Sequence, residues 1–254
     1  MLAEPPPSQA DLHFRMFGFP VRIHPFFWVI AVIPALRGES TPPAELFVWI
    51  AAVFVSILIH ELGHALMQRR FGGHPRIVLH GLGGLAICGD CDRSTRAQIL
   101  ISLAGPGAGF AFATLVVLGL SATGHQFGFF TEPAMPPPFE PAGLRMFGLW
   151  WLWEAFPSVH VNEMLANLLF INILWGAVNL LPIYPLDGGQ VSRELCQIAD
   201  PRGGIMLSLR ISMIAAIGMA IVGLSWQSLL VVLMFGYLAY SSYKTLGAYR
   251  ASLW

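Results

Sequence analysis

The sequence predicts an all-α polytopic membrane protein: about six transmembrane helices, with a small membrane-associated β-hairpin after the second. Three observations predict it. Hydrophobic residues make up 56% of the 254-residue chain and charged residues only 11%, against about 25% charged in a typical soluble domain. The mean hydropathy is +0.65. The apolar residues gather into long runs, separated by short stretches of turn-forming and charged residues. The implied surroundings are a lipid bilayer. Net charge is zero, so nothing points to nucleic acid. Spanning segments use up most of the length, so residues 1–254 read as one integral-membrane domain.

The elements follow in order. Residues 1–13 are acidic and proline-rich and lack the basic start of a signal peptide, which predicts a disordered tail and an uncleaved first span. That span is expected over 21–37, because the apolar run Phe26–Leu36 alone is too short to cross. Arg37-Gly-Glu-Ser-Thr-Pro-Pro is a polar turn. The second span covers 45–68 and closes on Arg69 and Arg70. Two β-prone runs, Arg76–Leu79 and Leu85–Cys88, flank a glycine cluster and read as a hairpin. The third span is 97–121; its Ala104-Gly-Pro-Gly-Ala-Gly109 predicts close helix packing through small residues. Residues 122–160 form a long connection whose Trp150-Trp-Leu-Trp153 suits the headgroup region. The fourth, fifth and sixth spans are expected over 162–182, 205–223 and 226–243.

Lysine and arginine set the orientation. With the N-terminus in the cytosol and the spans alternating, all of the 14 basic residues except Arg37 and Arg145 fall on the cytosolic side. Both termini are then cytosolic.

Chemistry enters in the second span. His60-Glu61-Leu-Gly-His64 puts two imidazoles one helical turn apart on one face, able to converge on one Zn²⁺. Glu61, next in line, is placed to act as general base on water that the metal activates. Three such residues in a run this apolar are costly in a bilayer unless they bind something. In the predicted topology the end of the fourth span, Pro185-Leu-Asp187-Gly-Gly189, lies at the same depth. Catalytic zinc takes three protein ligands and keeps a position for water, so Asp187 is the natural third ligand. Pro-Leu-Asp-Gly-Gly is also good turn chemistry, and the two roles are compatible. Asn179, eight residues earlier, either donates to substrate or its oxyanion, or makes an interhelical hydrogen bond.

Together these motifs resemble the site-2 protease family of intramembrane zinc metalloproteases. The resemblance rests on His60-Glu-Leu-Gly-His64 and on Asn179-x-x-Pro-x-x-Pro-Leu-Asp-Gly-Gly189. Gly18-Phe-Pro-Val-Arg-Ile-His24, the glycine-rich hairpin and Ala104-Gly-Pro106 add to it. It implies a catalytic core over about 45–189, with one zinc held by His60, His64 and Asp187, and Glu61 as base. It implies a single-span membrane protein as substrate, a regulatory membrane protein in trans and a site opening to the cytosol. The absence of an inserted domain in 122–160 is nearer the compact six-span, sporulation-type branch, and a prokaryotic plasma membrane is expected. Two other readings stand beside the protease. One is a non-catalytic relative that binds membrane segments, which loss of a motif residue would mark. The other is a metal transporter, which would spread polar residues over several spans.

The remaining candidates are weaker. His24, His74, His80, His125 and His160 are scattered, and His80 alone lies where it could approach the site. Cys88-Gly-Asp-Cys91 reads as an incidental turn in a cytosolic loop, with redox control as the sharper alternative.

Overall fold

The computed structural model describes residues 4–32, 42–81, 83–131, 137 and 139–251. Long apolar helices dominate it. α2 (Pro43–Arg70), α3 (Thr95–Ala122), α7 (Gly204–Ser225), α8 (Leu229–Ala251) and the helical run Val159–Asn179 are each long and apolar enough to cross a membrane, five among the described residues. At about 1.5 Å per residue, the 28 residues of α2 reach further than a hydrocarbon core of about 30 Å.

The first predicted span is where expectation and structure part. Phe19, Val21 and Ile23 are buried while Pro20 is exposed and Arg22 half-buried, an alternation that belongs to a strand. β2 (Phe19–Ile23) therefore takes the start of that stretch, and α1 (Pro25–Val32) follows. Residues 33–41, with the rest of that span and most of the predicted polar turn, lie outside the described residues. The predicted tail also differs, because β1 (Leu12–Met16) pairs with β2. Glu4 reaches both Arg22 (2.9 Å) and Arg76 (2.6 Å), and Asp11 binds Arg22 at 3.0 Å.

The predicted hairpin is present as β3 (Arg76–His80) and β4 (Gly83–Ile87). It is half of a four-stranded sheet, ordered β1-β2-β3-β4, in which β2 and β3 run parallel. Ile77 and Leu79 turn inward to join Val21, Ile23, Phe27, Leu58 and Leu62 in one apolar cluster. That cluster fastens the sheet to α2. The connection over 122–160 carries a second sheet, β5 (Phe127–Phe130), β6 (Pro141–Met146) and β7 (Leu149–Glu154), ordered β5-β7-β6. Trp153 is its fully buried anchor, packed on Leu120 and Leu169.

The fourth spanning run is not uniform. α4 (Val159–Phe170) widens into a π turn over Ile171–Trp175 before α5 (Gly176–Asn179). Asn172 sits in that turn, buried, and donates to Ser56 Oγ on α2 at 2.8 Å and to the Leu168 carbonyl at 2.8 Å. After α5 the chain loops to α6 (Asp187–Ala199). The loop is pinned where Tyr184 N donates to Ser212 Oγ (2.8 Å), itself bonded to Ser242 Oγ (2.8 Å). Helices α7 and α8 thus hold the approach to Asp187.

Candidate metal centre

The side chains of the second-span motif stand on the buried face of α2. His60, Glu61 and His64 are 7%, 5% and 8% exposed. Asp187 opens α6 and points at them: Oδ2 lies 3.1 Å from His60 Nε2 and Oδ1 lies 3.3 Å from His64 Nε2. The two Nε2 atoms are 3.1 Å apart. The structure therefore brings together the three residues that sequence reading paired as ligands.

The orientation of His64 is set by backbone. Its Nδ1 lies 2.7 Å from the Ile101 carbonyl of α3, which can only accept. Nδ1 must carry the proton, and the Nε2 lone pair then faces His60 and Asp187. Three electron-rich atoms converge, and Asp187 Oδ2 is buried without accepting a directed hydrogen bond. Such a cluster calls for a cation. Donors about 2.0–2.1 Å from a tetrahedral zinc stand roughly 3.3 Å apart, close to the spacings seen here. The residues fit a zinc ion. Burial works to raise the Asp187 carboxyl, but the imidazoles of His60 and His64 outweigh it and hold it down to about 2. The carboxylate is ionised and ready to ligate.

Two close approaches frame the centre. A Cβ on Gly105 of α3 would run into His64 Nε2 and come within 2.8 Å of His60 Nε2. One residue before His64, Gly63 meets the carbonyl of Ala104, one residue before Gly105. The small residues of α3 do serve close packing, as expected, and Gly105 in particular leaves the room the imidazoles need. On the other side, Gly84 of β4 lies against Glu61; a Cβ there would stand 2.6 Å from Oε1. Gln68 Nε2 donates to the Ala86 carbonyl of β4 at 3.0 Å. The hairpin thus lies directly over the candidate base.

Asn179 is buried, but its Nδ2 donates to the Trp175 carbonyl at 3.0 Å, one turn back along its own run. That bond lies within its own helical run and is not the interhelical one. His80 is buried at the end of β3, and burial pushes its imidazole below the ordinary value, with the charges of His24 and Arg22 acting the same way. His74 pairs with Asp90 at 2.7 Å, His125 stacks on Phe156 and His160 meets Glu163, all away from the centre. Sequence reading missed the Ile101 carbonyl, Gly84, Gln68 and the Ser56–Asn172 bond. Gln68 had a signal, since it continues the four-residue rhythm of Ser56, His60 and His64 along α2. Backbone carbonyls carry none.

Comparison with known proteins places this geometry in context. A family model described as peptidase family M50 matches residues 48–225. The chain is 25% identical over 232 residues to a zinc metalloprotease of Methanocaldococcus jannaschii, covering 89% of this chain and 53% of that protein. It is 28% identical over 195 residues to a putative zinc metalloprotease of Mycobacterium tuberculosis (70% of this chain, 42% of that protein). It is 27% identical over 173 residues to the stage IV sporulation protein FB of Bacillus subtilis (67% and 46%). The chain spans about half the length of these curated relatives. Among solved structures, the site-2 protease from Methanocaldococcus jannaschii shares the fold, with a TM-score of 0.53 at 20% identity, covering 92% of this chain and 94% of that one.

Proposed function

The chain belongs to peptidase family M50, the site-2 proteases, and from that premise we propose that it is a zinc-dependent intramembrane endopeptidase. The observation that carries this reading is the convergence of His60 Nε2, His64 Nε2 and the Asp187 carboxylate within 3.1–3.3 Å of one another, buried and beside Glu61. His60, His64 and Asp187 would hold one Zn²⁺. Bound there, the ion would supply Lewis-acid activation and bring water's pKa to about 7. Glu61 takes the proton of the attacking water and returns it to the leaving amine. The Ile101 carbonyl keeps His64 in its ligating tautomer, and the packed faces of α2, α3 and β4 keep bulk water out.

The substrate is a single-span membrane protein whose helix unwinds before cleavage, since hydrogen-bonded helical carbonyls are poorly exposed. Backbone groups freed in a membrane need partners. β4 is an outer strand of its sheet and lies over Glu61, which supports it as the strand that extended substrate joins by main-chain pairing. The asymmetry of arginine and lysine supports cytosolic termini and a site reached from the cytosol. Archaeal and bacterial relatives support a prokaryotic plasma membrane. A regulatory membrane protein acting in trans fits a protease of this kind.

The test is reconstitution in vesicles with a single-span test substrate. Cleavage should stop when a chelator strips the metal and return with added Zn²⁺. Cleavage that persists at full rate in the metal-free protein would overturn the reading.

A further inference from the structure

Cys88 and Cys91 are joined as a disulfide, Cα–Cα 5.7 Å, in the four-residue link, residues 88–91, between β4 and the segment that leads into α3. The pair stands where β4, the end of α2 and the lead into α3 meet. Cys88 follows directly on β4, which covers Glu61. Residues 92–94 then lead to α3, which carries Ile101 and Gly105. A Cβ on Gly73, just past the end of α2, would run into both sulfurs, so the pair is seated on that end of α2.

The seat also suits the open form. Asp90 Oδ1 lies 3.3 Å from Cys88 Sγ, and the Gln68 carbonyl lies 3.7 Å from Cys91 Sγ. Each sulfur, as a thiol, has an acceptor in place. Asp90 is itself fixed by the backbone N–H of His74 (3.0 Å) and by its ring (2.7 Å). Both cysteines are half-buried residues rather than core ones. Gln68 carries the coupling inward, because its side chain holds Ala86 at 3.0 Å while its carbonyl faces Cys91.

From this arrangement we infer that Cys88 and Cys91 are a reversible dithiol–disulfide site that sets how firmly β4 is held over Glu61. In the oxidised form the end of β4 is tied covalently to the link that rests on α2. In the reduced form only hydrogen bonds hold it. The exchange partner is a soluble dithiol carrier. One of its thiolates attacks one sulfur and breaks the S–S bond, giving a mixed disulfide. Its second thiolate releases that sulfur, leaving two thiols here and a disulfide on the carrier. Two electrons and two protons pass, and oxidation runs the same exchange backward. That this matters for cleavage rests on the protease reading.

The experiment uses the full-length zinc-loaded protein in detergent, oxidised or reduced by a dithiol–disulfide buffer. Alkylation with mass readout should show two thiols appear on reduction. Amide exchange at Leu85–Ile87 should quicken roughly three- to tenfold on reduction. The Cys88→Ser/Cys91→Ser protein should match the reduced form under both conditions. With a substrate in hand, reduction should raise KM and leave kcat. Thiols that remain fully alkylatable at every poise, or equal exchange in the two forms, would overturn the inference. So would a thiolate-to-Co²⁺ charge-transfer band in the reduced protein, which would make Cys88, Asp90 and Cys91 a metal site instead. A protein that switches in exchange but never cuts leaves this inference standing and removes the protease reading; one that cuts but never switches does the reverse.

Discussion

The Ile101 carbonyl accepts a hydrogen bond from His64 Nδ1–H at 2.7 Å, and that bond leaves Nε2 as the ring nitrogen that meets Asp187. α3 therefore does more than pack on α2. It fixes the tautomer of a proposed ligand and, through Gly105, leaves space for both rings.

Gly105→Ala should lower zinc affinity about 10- to 100-fold, the usual cost of disturbing the groups that orient ligands. Gly107→Ala is the control, since a Cβ there meets nothing within 4 Å. Zinc per chain in the purified proteins checks this. Equal zinc in both would remove the role given to Gly105.

Gly84→Ala should keep its zinc and lose cleavage by on the order of 10²-fold, because a Cβ there displaces Glu61 rather than the ligands. Gly89→Ala, in open space on the same link, should behave as the parent. The rate of substrate cleavage at equal zinc content separates the two.

Ser56→Ala breaks the bond that Asn172 donates from the π turn. Hydrogen bonds between membrane helices contribute about 0.6–1.7 kcal/mol, so thermal unfolding in detergent should shift down by that scale. Because Ser56 is one turn before His60, zinc content should stay near normal. A loss of zinc without a loss of stability would contradict this division of labour.

Sidedness is tested with single cysteines in a cysteine-free background. Ser121→Cys and Ser158→Cys, at the end of α3 and just before α4, should react with a membrane-impermeant reagent from outside intact cells. Ser94→Cys, at the start of α3, should not. The opposite pattern would invert the proposed orientation.

Much of this molecule was legible in the residues. The long apolar runs gave α2, α3, α7 and α8, and the paired β-prone runs gave β3 and β4. His60 and His64 were legible because few other arrangements keep such residues in an apolar helix, and Asp187 because the predicted topology put it at the same depth. Other features had weaker signals. β1 and β2 are only five residues each, and β2 finds β3 across more than 50 residues of chain, a pairing that no local pattern encodes. Trp150-Trp-Leu-Trp153 reads as an interfacial belt, and its strand is visible only once β5 and β6 flank it. Asp187-Gly-Gly suits a turn as well as the helix it begins. Asn179 was read for its amide, and the bond its Nδ2 makes to the Trp175 carbonyl one turn back has no signal in the motif.

The proposed chemistry rests on Glu61 as the proton carrier beside a zinc held by His60, His64 and Asp187. The most direct measurement pairs metal analysis with cleavage for Glu61→Gln. The amide keeps the size of the side chain but cannot take the proton. The account predicts about one zinc per chain, as in the parent, with cleavage slowed by about 10²–10⁴-fold or more. A Glu61→Gln protein that holds its zinc and still cuts at the parent's rate would contradict it.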